Sequence, residues 1–185
     1  MNDIVARRNH NCFSRIRLLL LDVDGVLTDG QVYLDCDGRE TIAFSIQDGV
    51  ALKLWQRTGR IVGLLSGRNQ PAVRARAAQL RIDLTILGRN DKLDAFEQLL
   101  AENQLAADQV AYMGDDLLDL PVLERCGYGI VPANAVDPAK AVARYVTTRQ
   151  GGHGAVTEAV QHLLDLAGEW QACLESYRRG HAGRH

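Results

Sequence analysis

The sequence predicts a three-layer α/β fold, a parallel sheet with helices on both faces and a β-hairpin protruding from it. Three observations lead there. Short aliphatic runs alternate with segments of helical period from Leu18 almost to the end of the 185 residues, the pattern of strand–helix units in a parallel sheet. The first run, Leu18–Leu21, is apolar at four consecutive positions, as a strand buried on both faces requires. One segment breaks the alternation, where two β-prone runs flank an Asp-Gly turn.

The elements follow in order. Leu18–Leu21 is a strand that stops at Asp22-Val23-Asp24-Gly25. Gln31–Leu34 and Thr41–Ile46 flank Asp35-Cys36-Asp37-Gly38 and read as a hairpin over about 30–47, leading into a helix that begins near Asp48-Gly49. Ile61–Leu65 is a second buried strand, ending at Ser66-Gly67-Arg68. Pro71 suits the first turn of the next helix, which presents Val73, Ala77 and Leu80 on one face. Leu84–Leu87 is a third strand. Asn90 or Asp91 caps a helix whose apolar stripe is Leu93, Phe96, Leu99 and Leu100. Val110–Met113 is the fourth, ending at Gly114-Asp115-Asp116, and a helix through Leu120 and Leu123 follows. Tyr128–Val131 and Tyr145–Thr147 are further strands around a short helix opened by Asp137-Pro138. A last helix carries Val156, Val160, Leu163 and Leu164. These spans give a flexible segment over 1–15, one domain over 16–167, and a polar tail over 168–185 expected to be partly ordered at best.

Composition narrows the function classes. The 21 basic and 23 acidic side chains nearly balance, which argues against a nucleic-acid binder working through a basic face. Cys12, Cys36, Cys126 and Cys173 are scattered, without zinc spacing, and read as reduced thiols. The first seventeen residues hold no apolar stretch of signal-peptide length, and no run approaches the roughly 18 residues of a membrane span. A soluble cytoplasmic protein with no membrane partner is expected.

The chemistry gathers at strand ends. Asp22 and Asp24 stand two residues apart at the carboxyl end of the first strand. Like charges so close raise each other's pKa and suit a cation, although such a turn alone reads equally well as a solvated acidic loop. Ser66, Lys92 and the Asp115–Asp116 pair lie at three further strand ends or helix starts. Alone, Ser66-Gly67-Arg68 is an ordinary loop, Asp115-Asp116 a helix cap, and Asp119 structural or functional at even weight. Lysine opposes the dipole at a helix start, which favours a function for Lys92. A parallel sheet brings all of these to its carboxyl edge, where open α/β folds bind ligands.

With these four groups in this order, the chain resembles the haloacid dehalogenase superfamily of phosphotransferases over roughly residues 16–165. The resemblance implies a Rossmann-like core and a Mg²⁺ held by Asp22, Asp115 and the backbone carbonyl of Asp24, with Asp116 in support. It makes Asp22 the nucleophile of an aspartyl-phosphate and Asp24 the general acid and base. Ser66 and nearby amides bind phosphoryl oxygens, and Lys92 balances charge in the transition state.

Many members carry a cap domain, but here the chain between Asp22 and Ser66 is used by the hairpin and one helix. Between Ser66 and Lys92 it is used by a helix and a strand. An independent cap would need about 50 residues or more, so no cap domain is expected. The hairpin, with Val32, Tyr33, Ile42 and Phe44, resembles that of the capless subgroup typified by phosphatases of 3-deoxy-D-manno-octulosonate 8-phosphate. Asp48-Gly49, Gly67-Arg68 and the segment Gly151-Gly152-His153-Gly154 match its signatures. The resemblance implies a homotetramer joined through the hairpins, a neighbouring subunit over each site, and substrate contacts from Gly67, Arg68, Asp48 and His153. The chain departs from the octulosonate pattern at Gln47, His153 and Thr157, where cations are usual. Phosphatases of nonulosonate 9-phosphates or of another small phosphorylated metabolite therefore stay as alternatives, as does a non-catalytic oligomerisation module.

Overall fold

A computed structural model describes residues 15–179. Six strands form one parallel sheet: β1 (Leu18–Leu21), β4 (Ile61–Ser66), β5 (Leu84–Leu87), β6 (Val110–Met113), β7 (Tyr128–Val131) and β8 (Tyr145–Val146). Their order is β5-β4-β1-β6-β7-β8. The chain winds outward from β1 in one direction through β4 and β5, then returns to β1's other side for β6, β7 and β8. The switch point therefore lies between β1 and β6, whose registers bring Leu21 beside Met113.

The four leucines of β1 face both ways, as their pattern predicts. Leu19 and Leu21 enter a core with Leu52, Trp55, Val160 and Leu163. Leu18 and Leu20 enter a second core with Phe96, Leu99, Val122 and Leu123. Helices α1 (Ile46–Arg57), α2 (Pro71–Leu80), α3 (Lys92–Glu102), α4 (Leu120–Arg125), α5 (Asp137–Val142) and α6 (Ala155–Leu166) cover the sheet. Ser45 caps α1 by accepting from the Asp48 amide, and Asp91 caps α3. Within α3 the buried side chains are Lys92, Ala95, Phe96, Leu99 and Leu100, and Leu93 faces out. Its place in the expected apolar stripe is taken by Ala95, two residues on and about 200° round the wheel.

Two expectations are refined in the structure. The hairpin is present but pairs over two residues a side, β2 (Tyr33–Leu34) with β3 (Glu40–Thr41). Ile42 and Phe44, expected on its exposed face, are partly buried against the first core. In the tail expected to be partly ordered at best, residues 180–185 lie outside the described residues, and Trp170–Arg178 forms helix α7. Its charges conceal an apolar stripe, Trp170, Cys173 and Tyr177, that packs on the first core. Glu169 accepts a two-pronged bond from Arg60 at 2.6 and 2.7 Å, and Arg57 stacks over the Tyr177 ring. The segment over 1–15 lies, save for its last residue, outside the described residues. Among the described residues no helix is long and apolar enough to cross a membrane.

Candidate active site

The carboxyl end of β1 is fixed before any side chain acts. The Asp22 amide donates to Met113 O at 2.8 Å, and the amides of Val26, Leu27 and Thr28 converge on Val23 O. Gly25 sits in this turn at φ +78°, where a Cβ would lie 1.9 Å from Asp115 Oδ2. Glycine is required there both for its conformation and to admit the second carboxylate.

Asp22 is buried. Its Oδ1 accepts from the Val23 amide at 2.7 Å, and its Oδ2 lies 2.8 Å from Lys92 Nζ. Lys92 is 4% exposed at the first residue of α3, so its ammonium reaches back across the sheet edge rather than into water. It lies 2.6 Å from Asp119 Oδ1. Asp22, Asp115 and Asp119 bring carboxylate oxygens within 4.8 Å of one another, three carboxylates facing one ammonium. Burial pushes Asp22 up to about 7 despite Lys92, and burial with the Asp22 and Asp119 carboxylates pushes Asp115 up to about 8. Lys92 is raised, since the two carboxylates outweigh its own burial.

The three carboxylates are not equivalent. Asp119 is fully buried and accepts four bonds: from Lys92 and Tyr112 Oη on Oδ1, and from the Asp115 and Asp116 amides on Oδ2. A carboxylate offers about four lone-pair sites, so Asp119 has none left for a metal and serves to hold Lys92 and the 114–116 turn. Asp115 differs: its buried Oδ1 has no hydrogen-bond partner among the described residues. An orphaned, buried carboxylate oxygen beside Asp22 is costly unless a cation completes it. The donor set, hard oxygens only, fits Mg²⁺.

The remaining expected residues divide. Ser66 is buried at the end of β4, where its Oγ accepts from the Arg68 amide, and Gly67 packs against Asn90. Arg68 leans toward Asp24 at 3.4 Å. Its guanidinium is gripped by Glu40 of the hairpin at 2.6 and 2.7 Å, and Glu40 also accepts from Gln70. Burial raises Asp24, with Arg68 opposing the rise. Asp22, Asp24, Ser66, Arg68, Lys92 and Asp115 thus share one edge. Asp116 does not join the carboxylate cluster; it is exposed and caps the turn at Leu117. Asp48 faces inward instead of toward a ligand. It is 1% exposed and accepts from the Gly154 and Thr157 amides and the Thr157 hydroxyl, pinning the start of α6 to α1. That role also explains threonine at 157. His153 is exposed close to Asp29, which Tyr33 also engages. Sequence reasoning missed Tyr112, Glu40 and Gln70; in sequence Tyr112 is an ordinary strand residue, and Glu40 one charge in a polar turn.

An acidic pair after the first strand, a lysine at a helix start and an acidic turn after the fourth strand of the series define a haloacid dehalogenase-like hydrolase, and the model of that family matches residues 86–160. The chain is 39% identical over 167 residues to the 3-deoxy-D-manno-octulosonate 8-phosphate phosphatase KdsC of Escherichia coli K12, covering 90% of this chain and 86% of that one. The structure of the corresponding phosphatase from Moraxella catarrhalis, a complex with magnesium, phosphate and KDO, superposes with a TM-score of 0.88 at 35% identity, over 92% of this chain and 98% of that one. A probable YrbI family phosphatase from Pseudomonas syringae superposes with a TM-score of 0.88 at 40% identity, over 92% and 97%. The chain belongs to the haloacid dehalogenase-like hydrolases, in the branch that holds the octulosonate 8-phosphate phosphatases.

Proposed function

We propose that this chain is a Mg²⁺-dependent phosphatase of 3-deoxy-D-manno-octulosonate 8-phosphate. The observation that carries the chemistry is the pairing of Asp22, held by Lys92, with the orphaned Asp115 oxygen beside it. Asp22, Asp115 and the Asp24 carbonyl would hold the metal, which when bound neutralises phosphate charge so that an anionic nucleophile can approach.

The remaining work belongs to side chains. An Asp22 carboxylate oxygen attacks phosphorus, and Asp24, two residues on and half-buried, gives its proton to the departing sugar alkoxide. Asp24 then takes a proton from the water that cleaves the acyl phosphate, restoring Asp22. Lys92 stays beside Asp22 throughout and offsets charge spreading over the phosphoryl oxygens. Ser66 and the Gly67 amide orient those oxygens. Arg68 and His153 face the sugar acid.

The hairpin completes the assembly as a tetramer contact. Val32 and Leu34 are 53% and 65% exposed on a ribbon with free edges, a surface unsuited to remaining solvated. Glu40 links that ribbon to Arg68, so a neighbouring subunit docked there would roof the site. A second substrate reading, a nonulosonate 9-phosphate, draws support from Gln47 and His153, two uncharged or weakly basic positions. Phosphate release from both sugar phosphates and from p-nitrophenyl phosphate, with and without Mg²⁺, decides between the substrates. Asp22→Asn should remove all release while retaining the native melting transition; an active variant would reject the nucleophile.

A further inference from the structure

Tyr112 is the one β6 side chain that is not wholly apolar, and it is fully buried. A buried phenol needs a hydrogen-bond partner, and this one donates to Asp119 Oδ1 at 2.5 Å. The same oxygen accepts from Lys92 at 2.6 Å, while Lys92 lies 2.8 Å from Asp22 Oδ2. One ammonium is therefore shared between a structural carboxylate and the attacking one, and the hydroxyl competes for the structural side. We infer that Tyr112 is a positioning residue, whose hydroxyl occupies part of Asp119 Oδ1 and so leaves Lys92 shared with Asp22 and the incoming phosphoryl group.

This inference rests on the phosphatase reading. Without the hydroxyl, Asp119 Oδ1 keeps Lys92 as its sole donor, and the ammonium is drawn away from Asp22. The ring itself packs in the second core with Phe96 and Leu123, so filling space is the competing account. A phenylalanine keeps that packing and removes the bond alone.

The test is Tyr112→Phe assayed with p-nitrophenyl phosphate and Mg²⁺, combined with Asp119→Asn in a double-mutant cycle. Positioning predicts kcat lower by about tenfold with KM within about twofold, and a much smaller further loss when Tyr112→Phe is added to Asp119→Asn. A core-filling role predicts wild-type kcat, or equal losses in both backgrounds; either result overturns the inference. A Mg²⁺-loaded wild-type protein that releases no phosphate from any substrate overturns the phosphatase reading instead. Crystals of Tyr112→Phe give a readout independent of rate: Lys92 Nζ should stay on Asp119 Oδ1 and lie farther from Asp22 Oδ2 than its present 2.8 Å, and an unmoved ammonium refutes the role.

Discussion

The orphaned carboxylate makes a prediction about stability that runs against its importance for function. In metal-free protein the folded state holds Asp115 up to about 8, against 3.8 for the free group. The folded chain therefore binds more protons than the unfolded one across that interval, and stability falls as pH rises through it. With partial solvent access and relaxation allowed for, the shift amounts to about 2 kcal/mol at pH 8.5. Asp115→Asn removes that charge at nearly constant volume. In EDTA at pH 8.5 the variant should melt about 4–8 °C above wild type. At pH 5, where the wild-type carboxyl is already protonated, the gain should shrink to about 2 °C or less. With excess Mg²⁺ the order should reverse, since wild type gains metal-linked stability and the variant gains little. Differential scanning calorimetry at the two pH values, with EDTA or Mg²⁺, provides the four comparisons. A variant less stable than wild type in EDTA at pH 8.5, or equally stabilised by Mg²⁺, would refute the reasoning.

Other perturbations address separate links. Gly25→Ala places a methyl where Asp115 sits and strains a left-handed turn, so Mg²⁺ affinity by calorimetric titration should fall at least about tenfold. Mg²⁺ affinity of the wild type should rise from pH 5.5 to 8, because the cation competes with the protons retained by the raised carboxyls of Asp22 and Asp115. Leu34→Glu on the exposed ribbon should give a monomer by light scattering with an unchanged circular dichroism spectrum. Ending the chain after Gly168 removes the packing of Trp170 and Tyr177 and the Arg60–Glu169 bond. The loss of about 2 kcal/mol should lower the melting temperature by about 4–8 °C.

Much of the fold was legible because parallel strands advertise themselves. Leu18–Leu21 and Val110–Met113 are buried on both faces, so uninterrupted apolar runs end where solvent and chemistry begin. The helices announced themselves through caps and period, save that Leu93, expected in the apolar stripe of α3, faces out while Ala95 is buried. Helix α7 was hidden because its apolar stripe is thin and its neighbours are charged; only docking against Arg57, Arg60 and the first core gives it a reason to form.

For the site, the residue types and their order along the chain determined that Asp22, Lys92 and Asp115 would meet, since a parallel sheet leaves strand ends nowhere else to go, but not that Asp119 rather than Asp116 would join them. What they could not settle was how each polar atom is shared. Asp48 and Asp116 differ little from Asp22 in sequence, yet one is spent on α6 and the other caps an exposed turn. Asp119 is filled by four donors, two of them from backbone that only the folded 114–119 turn brings near. Asp115 is left with an oxygen unpaired. Hydrogen-bond capacity is allotted in three dimensions, within distances of a few ångströms, and spacing along a chain carries no record of which donor arrives first.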